Sequence, residues 1–310
     1  MKLRKSLSRV VKCPHCCPIF SGKSGFKLIG TFYRRSDSKT VQRFRCILCR
    51  RSFSWATLNP CYFQKKRKMN YKVATLLASG VSQRRIAMLL KLNRKTVVRK
   101  FLFSAKYAKF TREYDLKCKA NKCANNKSEM ISKIQFDEME SFEHSKCLPV
   151  SIPMIIDPIS RKILGFRVAS MPAKGLLASV SRKKYGKRKD ERRQKTKELF
   201  EELKPVLSKR IEFHTDKNPS YPNWINSSYN NAQHHTTPGR RGCVVGQGEL
   251  KGGGFDPLFA FNHSAAMFRA NINRLFRKTW CTTKKRERLS AHMEIYVQYH
   301  NQVLINSPPI

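Results

Sequence analysis

The chain has 310 residues, and its 64 Lys and Arg against 20 Asp and Glu give a formal net charge of 64 − 20 = +44. Hydrophobic residues make up 40% of the chain, enough for a sizeable core, which excludes a wholly disordered polycation. So large a positive surplus needs a polyanionic partner, and nucleic acid is the commonest one. It argues against an ordinary metabolic enzyme, and a protein bound to a membrane surface is the weaker alternative.

The sequence lacks the patterns of a membrane or secreted protein, and this decides what its cysteines are expected to do. No apolar run approaches the roughly 18 residues of a membrane span, and no apolar signal core follows the basic residues 1–5. We therefore expect no membrane partner and no secretion. In a reducing compartment, 11 cysteines indicate metal binding rather than a disulfide framework.

Two C-x-x-C pairs stand near the N-terminus, Cys13 with Cys16 and Cys46 with Cys49. Each pair can place two thiolates on one metal ion, and two pairs complete the tetrahedral shell of a structural zinc. Extended runs at 27–33 and 41–45 supply short strands. We predict a zinc ribbon over residues 1–58 that depends on Zn²⁺ for much of its folding energy. Unpaired cysteines in a basic arm are the alternative.

Residues 65–108 are predicted to form a helix-turn-helix domain. Gly80 ends a first helix, while Ser82 and Asn93 are suitable N-caps for the second and third. The order matches the trihelical pattern of DNA-binding domains. The predicted inward positions are Val73, Leu76, Leu77, Ile86, Leu89, Leu90, Val97, Val98 and Phe101. The Lys- and Asn-rich residues 109–130 are expected to form a partly helical linker.

Basic residues cluster at the start of the predicted third helix. Arg and Lys there can contact guanine edges or phosphates, and the sequence leaves both open. A helical hairpin with a solvated basic face is the alternative. The candidate DNA-binding residues are Arg94, Lys95, Thr96 and Arg99 on the third helix, with Arg84 and Arg85 nearer the DNA backbone.

The remaining residues, 131–310, alternate as strands and helices of an α/β domain. Strands are expected at 133–137, 150–156 and 163–169, then a helix at 198–207 and a strand at 210–214. This is the element order of the ribonuclease H-like fold. It places Asp137 on the first strand and Asp216 at the end of the fourth, where a divalent metal such as Mg²⁺ can join two carboxylates. A turn or cap is the commoner role of Asp, and we expect it of Asp157.

A later helix is predicted over residues 261–280. Phe261, Ala265, Phe268, Ile272 and Leu275 form its apolar stripe. Asn262 lies beside the stripe, and Arg269 is seven residues further on at nearly the same angular position, so both could face one site. A DNA-contacting or solvated face, with Asn262 as an N-cap, is the alternative.

Together these segments resemble a DDE-type transposase of the insertion sequence 1 family, over nearly the whole chain. The resemblance rests on CPHC with CILC, IQFDEMESF at 134–142, HTDKNPSYP at 214–222 and FNHSAAMFRANINRLFRKTWC at 261–281, followed by LSAHMEIYVQYHN. It implies that Asp137 and Asp216 are catalytic acids that bind Mg²⁺ or Mn²⁺. The third acid of the family, a glutamate, falls on Asn262, and its basic residue falls on Arg269.

The resemblance also implies partners and a location. Double-stranded DNA, as terminal inverted repeats and target, is the expected substrate, with a dimer or larger assembly acting in a bacterial cytoplasm.

Asn262 departs from the family pattern because an amide offers a neutral oxygen where glutamate offers a charged one. Some related transposases use Asn at this place, so activity is still expected. Glu249 and Asp256 are acidic alternatives, and Glu138 and Glu140 flank Asp137 but point to the opposite strand face. A DNA-binding regulator without catalysis, or a nuclease that cuts without joining, are the alternative functions.

Overall fold

The structure is a computed structural model that describes residues 13–16, 25–35, 38–238, 256–276 and 281–305. The chain divides into two units, Met1–Tyr71 and Lys72–Ile310, and the division falls within helix α1 (Met69–Ala78). In the part of the chain described, no helix combines the length and the apolar character that crossing a membrane requires.

The first unit contains a small antiparallel sheet in the order β1 (Phe26–Arg34), β2 (Lys39–Cys46) and β3 (Ser52–Ser54). The extended runs predicted at 27–33 and 41–45 lie within β1 and β2. Phe44 and Phe53 are buried, and Phe26 packs against Phe44 with ring centroids 5.2 Å apart. The buried cluster beneath this sheet is small, with Phe44 and Phe53 as its large members.

Three helices, α1, α2 (Gln83–Leu89) and α3 (Arg94–Asn125), follow one another with tight turns. Both predicted caps are confirmed: the Ser82 hydroxyl accepts the backbone N–H of Arg85 at 3.3 Å, and the Asn93 side chain accepts that of Lys95 at 2.8 Å. Gly80 has a φ of +77°, which glycine adopts without strain. The turn between α1 and α2 therefore forms where the sequence predicted it.

The inward face of these helices is narrower than predicted. Val73, Ile86 and Val97 are fully buried, but Leu89 is 66% exposed. Helix α2 has only two turns and buries the single position Ile86. The prediction for Leu89 was therefore wrong, while Leu76, Leu90 and Val98 are half-buried.

Helix α3 is 32 residues long and runs through most of the region predicted to be a linker. A stripe of small and polar side chains within it is buried, including Ala105, Ala108 and Arg112. Phe101 packs edge-on against His292 of helix α8 (Arg286–Tyr299), with centroids 5.8 Å apart. Residues 109–125 are therefore part of a packed helix, which their polar composition concealed.

A mixed sheet forms the centre of the second unit. Its strands are β4 (Ile131–Phe142), β5 (Pro149–Ile156), β6 (Ile163–Phe166), β7 (Ala169–Ser170), β8 (Leu207–Asp216) and β9 (Gln233–Thr237). The order is β6-β5-β4-β8-β9, with β7 paired to β5. Strands β4, β5 and β6 are antiparallel neighbours, whereas β8 is parallel to β4 and β9 is parallel to β8. The predicted strand at 163–169 is divided into β6 and β7.

Helices cover both faces of this sheet, as expected for an α/β fold. Helices α7 (Phe259–Asn271) and α8 pack with Met139 and Met154 on one face. Helices α5 (Arg192–Leu203) and α6 (Tyr221–Asn226) pack with Phe136 and Phe213 on the other. Helix α4 (Leu177–Tyr185) precedes α5.

Two predicted helices end earlier than the sequence pattern indicated. Helix α5 stops at Leu203, where Pro205 follows in a short 3-10 turn, because proline disfavours helical backbone before it. Helix α7 stops at Asn271, since Ile272 adopts extended backbone. The apolar stripe predicted for 261–275 is nonetheless buried throughout, because a 3-10 turn at Asn273–Leu275 keeps Leu275 inside.

A buried ion pair joins α3 to the helices around the sheet. The Arg112 guanidinium donates from Nε and Nη2 to the two carboxylate oxygens of Glu294, at 3.0 and 3.1 Å, and from Nη1 to Glu202 at 2.9 Å. The side chains of Arg112 and Glu294 are each 8% exposed. A bidentate pair of this kind fixes the relative geometry of the two side chains, and its charge-assisted hydrogen bonds are stronger than those between neutral groups.

We expect Arg112→Ala to lower the free energy of unfolding by about 3–5 kcal/mol, because the Glu294 carboxylate would remain buried without its counter-charge, whereas Glu202 would keep its pair with Arg167. Urea unfolding of the full chain measures the loss. Lys109→Ala is the control, since it removes only an exposed pair with Glu113 at 3.8 Å and should cost about 0.5 kcal/mol or less. Equal losses in the two variants would contradict the role of the buried pair.

Candidate functional site

The parallel pairing of β4 and β8 places Asp137 and Asp216 side by side. Gln135 pairs with His214 in the register of these strands, and each aspartate lies two residues further along its own strand. Paired residues in a sheet share a face, because side chains alternate along each strand. The structure therefore brings the two predicted acids together on the face covered by α7 and α8.

The Asp137 carboxylate is held by two donors. The Tyr221 hydroxyl donates to its Oδ1 at 2.7 Å, and the backbone N–H of Glu138 donates to the same oxygen at 2.6 Å. Burial and repulsion from Asp216 outweigh these donors and raise the pKa of Asp137 to about 6. Two carboxylates in this arrangement are stabilised by a cation between them.

Tyr221 belongs to the site although the sequence reasoning did not select it. It opens α6, is fully buried, and packs on Phe136 with ring centroids 4.8 Å apart. An aromatic residue after a turn is normally a core residue. The one sequence feature that could have pointed to Tyr221 is its position five residues after Asp216. Only the packing shows that its hydroxyl reaches Asp137.

Helix α7 is tied to β4 next to the acid pair. The Gln135 side chain donates to the carbonyl oxygen of Pro257 at 2.7 Å and accepts the backbone N–H of Phe261 at 2.7 Å. Asn262 is the next residue on α7, and Arg269 lies two turns along the same helix. This anchor brings the start of α7 to the strand that carries Asp137.

Asn262 is exposed, and its amide nitrogen donates to Asp256 Oδ2 at 2.9 Å. The other oxygen of Asp256 accepts the backbone N–H of Leu258 at 3.0 Å. The structure therefore brings Asn262, in the first turn of α7, together with its acidic alternative Asp256, which precedes the helix. Glu249, the second acidic alternative, lies outside the described residues.

The other acidic residues near Asp137 have partners elsewhere. Glu138 is mostly buried, accepts the Ser151 hydroxyl at 2.5 Å, and has its pKa raised by burial. Glu140 pairs with Lys174 at 2.8 Å. Asp157 accepts the backbone N–H of Ile159 at 2.9 Å, which confirms its predicted role in a turn.

In the first unit, the four predicted cysteine ligands converge. The Sγ atoms of Cys13, Cys16, Cys46 and Cys49 all lie within 4.8 Å of one another. The backbone N–H of Cys49, with that of Leu48, lowers the pKa of Cys46 to about 7 against the effect of burial. Thiolates at this separation can hold a metal ion.

The exposed basic side chains predicted to bind DNA lie around the start of α3. Arg84, Arg85, Arg94, Lys95 and Arg99 are exposed, and Thr96 is half-buried. A shallow groove follows the first turns of α3 and is lined by Asn93, Arg94, Lys95, Val98 and Arg99. Cationic side chains around such a groove can contact phosphates.

No model of a known protein family matches the chain, and no curated protein matches it.

Proposed function

We propose that the chain is a DNA transposase with a ribonuclease H-like catalytic domain. The observation that carries the proposal is the Asp137–Asp216 pair on adjacent parallel strands, with Asp137 midway along β4 and Asp216 at the end of β8. The strand order β6-β5-β4-β8-β9, with three antiparallel strands followed by two parallel ones, supports the fold because a ribonuclease H-like sheet has this order. The resemblance to insertion sequence 1 transposases supports the reaction.

In this proposal the chain's own residues hold and shape the metal site. Asp137 and Asp216 supply the charged oxygens, Tyr221 orients Asp137, and Asn262 adds an amide oxygen at the start of α7. Bound Mg²⁺ or Mn²⁺ would stabilise charge on the attacking and leaving oxygens of a phosphodiester. Water would first attack a phosphorus at the end of the element and break its P–O bond to the 3′ oxygen, which leaves as a 3′-hydroxyl. That hydroxyl would then attack a phosphorus of the target DNA in line, and the P–O bond to the displaced target strand would break.

The basic surface around α3 is proposed to bind the terminal inverted repeats, together with the zinc ribbon of the first unit. We expect Arg94→Ala and Arg99→Ala each to weaken DNA binding and to reduce the slope of log affinity against log salt by about 0.9, the contribution of one phosphate contact. Binding measured over a series of salt concentrations gives the slope. Lys122→Ala, on the exposed far end of α3, is the control and should leave it unchanged.

Strand joining tests the proposal directly. The purified chain would be incubated with Mg²⁺ or Mn²⁺ and DNA from the borders of its own gene, beside Asn262→Glu and a reaction with chelator. Metal-dependent joined strands are expected from the wild type. Cut ends without joined strands would indicate a nuclease. Tight DNA binding without any product would favour the regulator, which the neutral Asn262 supports.

The hydroxyl of Tyr221 is expected to keep Asp137 ionised. Tyr221→Phe removes a donor that lowers the pKa of Asp137, so this pKa should rise above its value of about 6. At pH 7 fewer molecules would carry the charged form, and a rise of about one pKa unit should lower the rate of cleavage by about twofold. Raising the pH should restore the rate. A loss that is the same at every pH would contradict this role.

A further inference from the structure

Three side chains of metal-binding type lie together on β8 and β9. His214 pairs with His235 in the parallel register of these strands, and Glu212 precedes His214 by two residues, so all three share one face of the sheet. Their ligand atoms all lie within 4.8 Å of one another. The two imidazole rings are stacked with centroids 4.9 Å apart.

His214 has an unsatisfied nitrogen in this cluster. Its Nε2 atom is buried and has no hydrogen-bond partner among the described residues, since Glu212 Oε2 is 3.6 Å away. A buried ring nitrogen that lacks a hydrogen-bond partner and lies near a carboxylate and a second imidazole calls for a ligand.

We propose that Glu212, His214 and His235 bind a divalent transition-metal ion such as Zn²⁺. Two imidazoles and a carboxylate form a donor set that zinc uses in open sites with a fourth position for water, whereas Mg²⁺ prefers oxygen ligands. The site shares no residue with the four-cysteine cluster or with the acid pair, although Asp216 follows His214 by two residues on the same strand face. A metal there would link the edge strand β9 to β8 at a point two residues before Asp216. This proposed site does not depend on the proposed transposase activity.

Metal content of the full chain tests this site. The protein would be loaded with Zn²⁺, dialysed, and analysed for bound metal, with His235→Ala and Glu212→Gln beside the wild type. Each variant should retain one equivalent fewer than the wild type. His235 is exposed, so its replacement should not unfold the protein. Equal metal content in all three proteins would overturn the proposal.

Two controls separate this site from its neighbours. His234→Ala replaces the adjacent histidine, which bonds the Thr215 hydroxyl at 2.7 Å and faces the other side of the sheet, and it should keep the full metal content. Asp137→Asn should also keep it. If Asp137→Asn removed the equivalent and His235→Ala did not, the metal would belong to the acid pair and the proposal would fail.

A second inference comes from the exposed face of α3. Four aromatic residues follow one another at intervals of four, three and four residues on the side opposite the buried stripe. Three of them are exposed by 44%, 64% and 58%, and the first is half-buried. In chain order they are Phe103, Tyr107, Phe110 and Tyr114. This spacing is that of the a and d positions of a coiled coil.

The aromatic stripe is complementary to itself in antiparallel orientation. In an antiparallel pair of such helices, Phe103 would lie opposite Tyr114 and Tyr107 opposite Phe110, so that every pair would join a Phe to a Tyr. Lys106, which flanks Tyr107, would then meet Glu113 of the second copy at the edge of the interface. A two-fold axis repeats each contact, as an isologous interface requires.

We infer that a second copy of this chain docks antiparallel on the α3 stripe. The expected assembly is a dimer of the full chain in the absence of DNA, with the aromatic rings buried at its centre and the charge pairs at its rim. Single-stranded nucleic acid stacked on the rings is the competing occupant. It would leave the free protein monomeric.

Sedimentation of the full chain tests the dimer and its register. Lys106→Glu should raise the dissociation constant of the dimer by about tenfold or more, because it would face Glu113 of the second copy. The double variant Lys106→Glu with Glu113→Lys should restore the dimer. Lys122→Glu, beyond the stripe, should not change it. A monomeric wild type, or a double variant no better than the single one, would overturn the inference.

Discussion

Asp137→Asn should reduce metal-dependent strand cleavage by about 10³-fold or more. Asparagine keeps the shape of the side chain and can still accept the Tyr221 hydroxyl, but it removes one of the two charges that would hold the proposed metal. Losing about 4 kcal/mol of metal-assisted stabilisation corresponds to this factor. The initial rate of cleavage at saturating Mg²⁺ measures the effect, and activity that survives the change would defeat the proposed role of the acid pair.

The matched control is Glu140→Gln. It replaces another carboxylate on the same strand, but on the opposite face and paired with Lys174. Cleavage should stay close to the wild-type rate. If Glu140→Gln lost as much activity as Asp137→Asn, general loss of acidic charge along β4, rather than the site itself, would explain both results.

Asp137→Asn should also stabilise the metal-free protein. The folded-state pKa of Asp137, about 6, lies above its ordinary value of 3.8. The folded state therefore holds the proton more tightly, and wild-type stability should fall as pH rises from about 4 to about 6. The fall should be on the order of 2 kcal/mol and absent in Asp137→Asn. Urea unfolding with chelator present measures it, and activity lost with stability gained would distinguish a functional carboxylate from a structural one.

The strands predicted from the sequence are those whose apolar residues alternate or run continuously. Residues 133–137 alternate and 150–156 are almost wholly apolar, and both lie within observed strands. Strand β9 was missed because Gln233–Thr237 is polar and half-exposed at the sheet edge. Residues 109–125 were predicted to be a partly helical linker rather than part of a packed helix for a related reason, since their buried positions are Arg112 and Cys123 rather than large apolar side chains.

The candidate site could be predicted only in part. Element order alone placed Asp137 and Asp216 at strand positions that meet. Gln135 and Tyr221 could not be found in this way, because their roles depend on contacts with α7 and Asp137 that are distant in sequence. The partner of Asn262 likewise required the structure, since Asp256 was predicted as a substitute for it rather than as its hydrogen-bond acceptor.

Cys46→Ser should unfold the first unit. Cys46 is 1% exposed, and its Sγ lies 3.6 Å from that of Cys16. Structural zinc contributes about 10–16 kcal/mol of binding free energy in small zinc domains, more than a core built around Phe44 and Phe53 can supply. Zinc content and limited proteolysis would report the loss, with residues 1–71 degraded and the larger unit, Lys72–Ile310, remaining resistant.

Cys61→Ser is the control for this prediction. Cys61 accepts a hydrogen bond from the Asn70 side chain at 3.3 Å and lies outside the four-cysteine cluster. It should leave zinc content and protease resistance unchanged. Chelator applied to the wild type should reproduce the effect of Cys46→Ser. If the first unit resisted protease after the metal was removed, its aromatic core would fold unaided. Neither the cysteines nor the ion would then be needed to hold β1, β2 and β3 together.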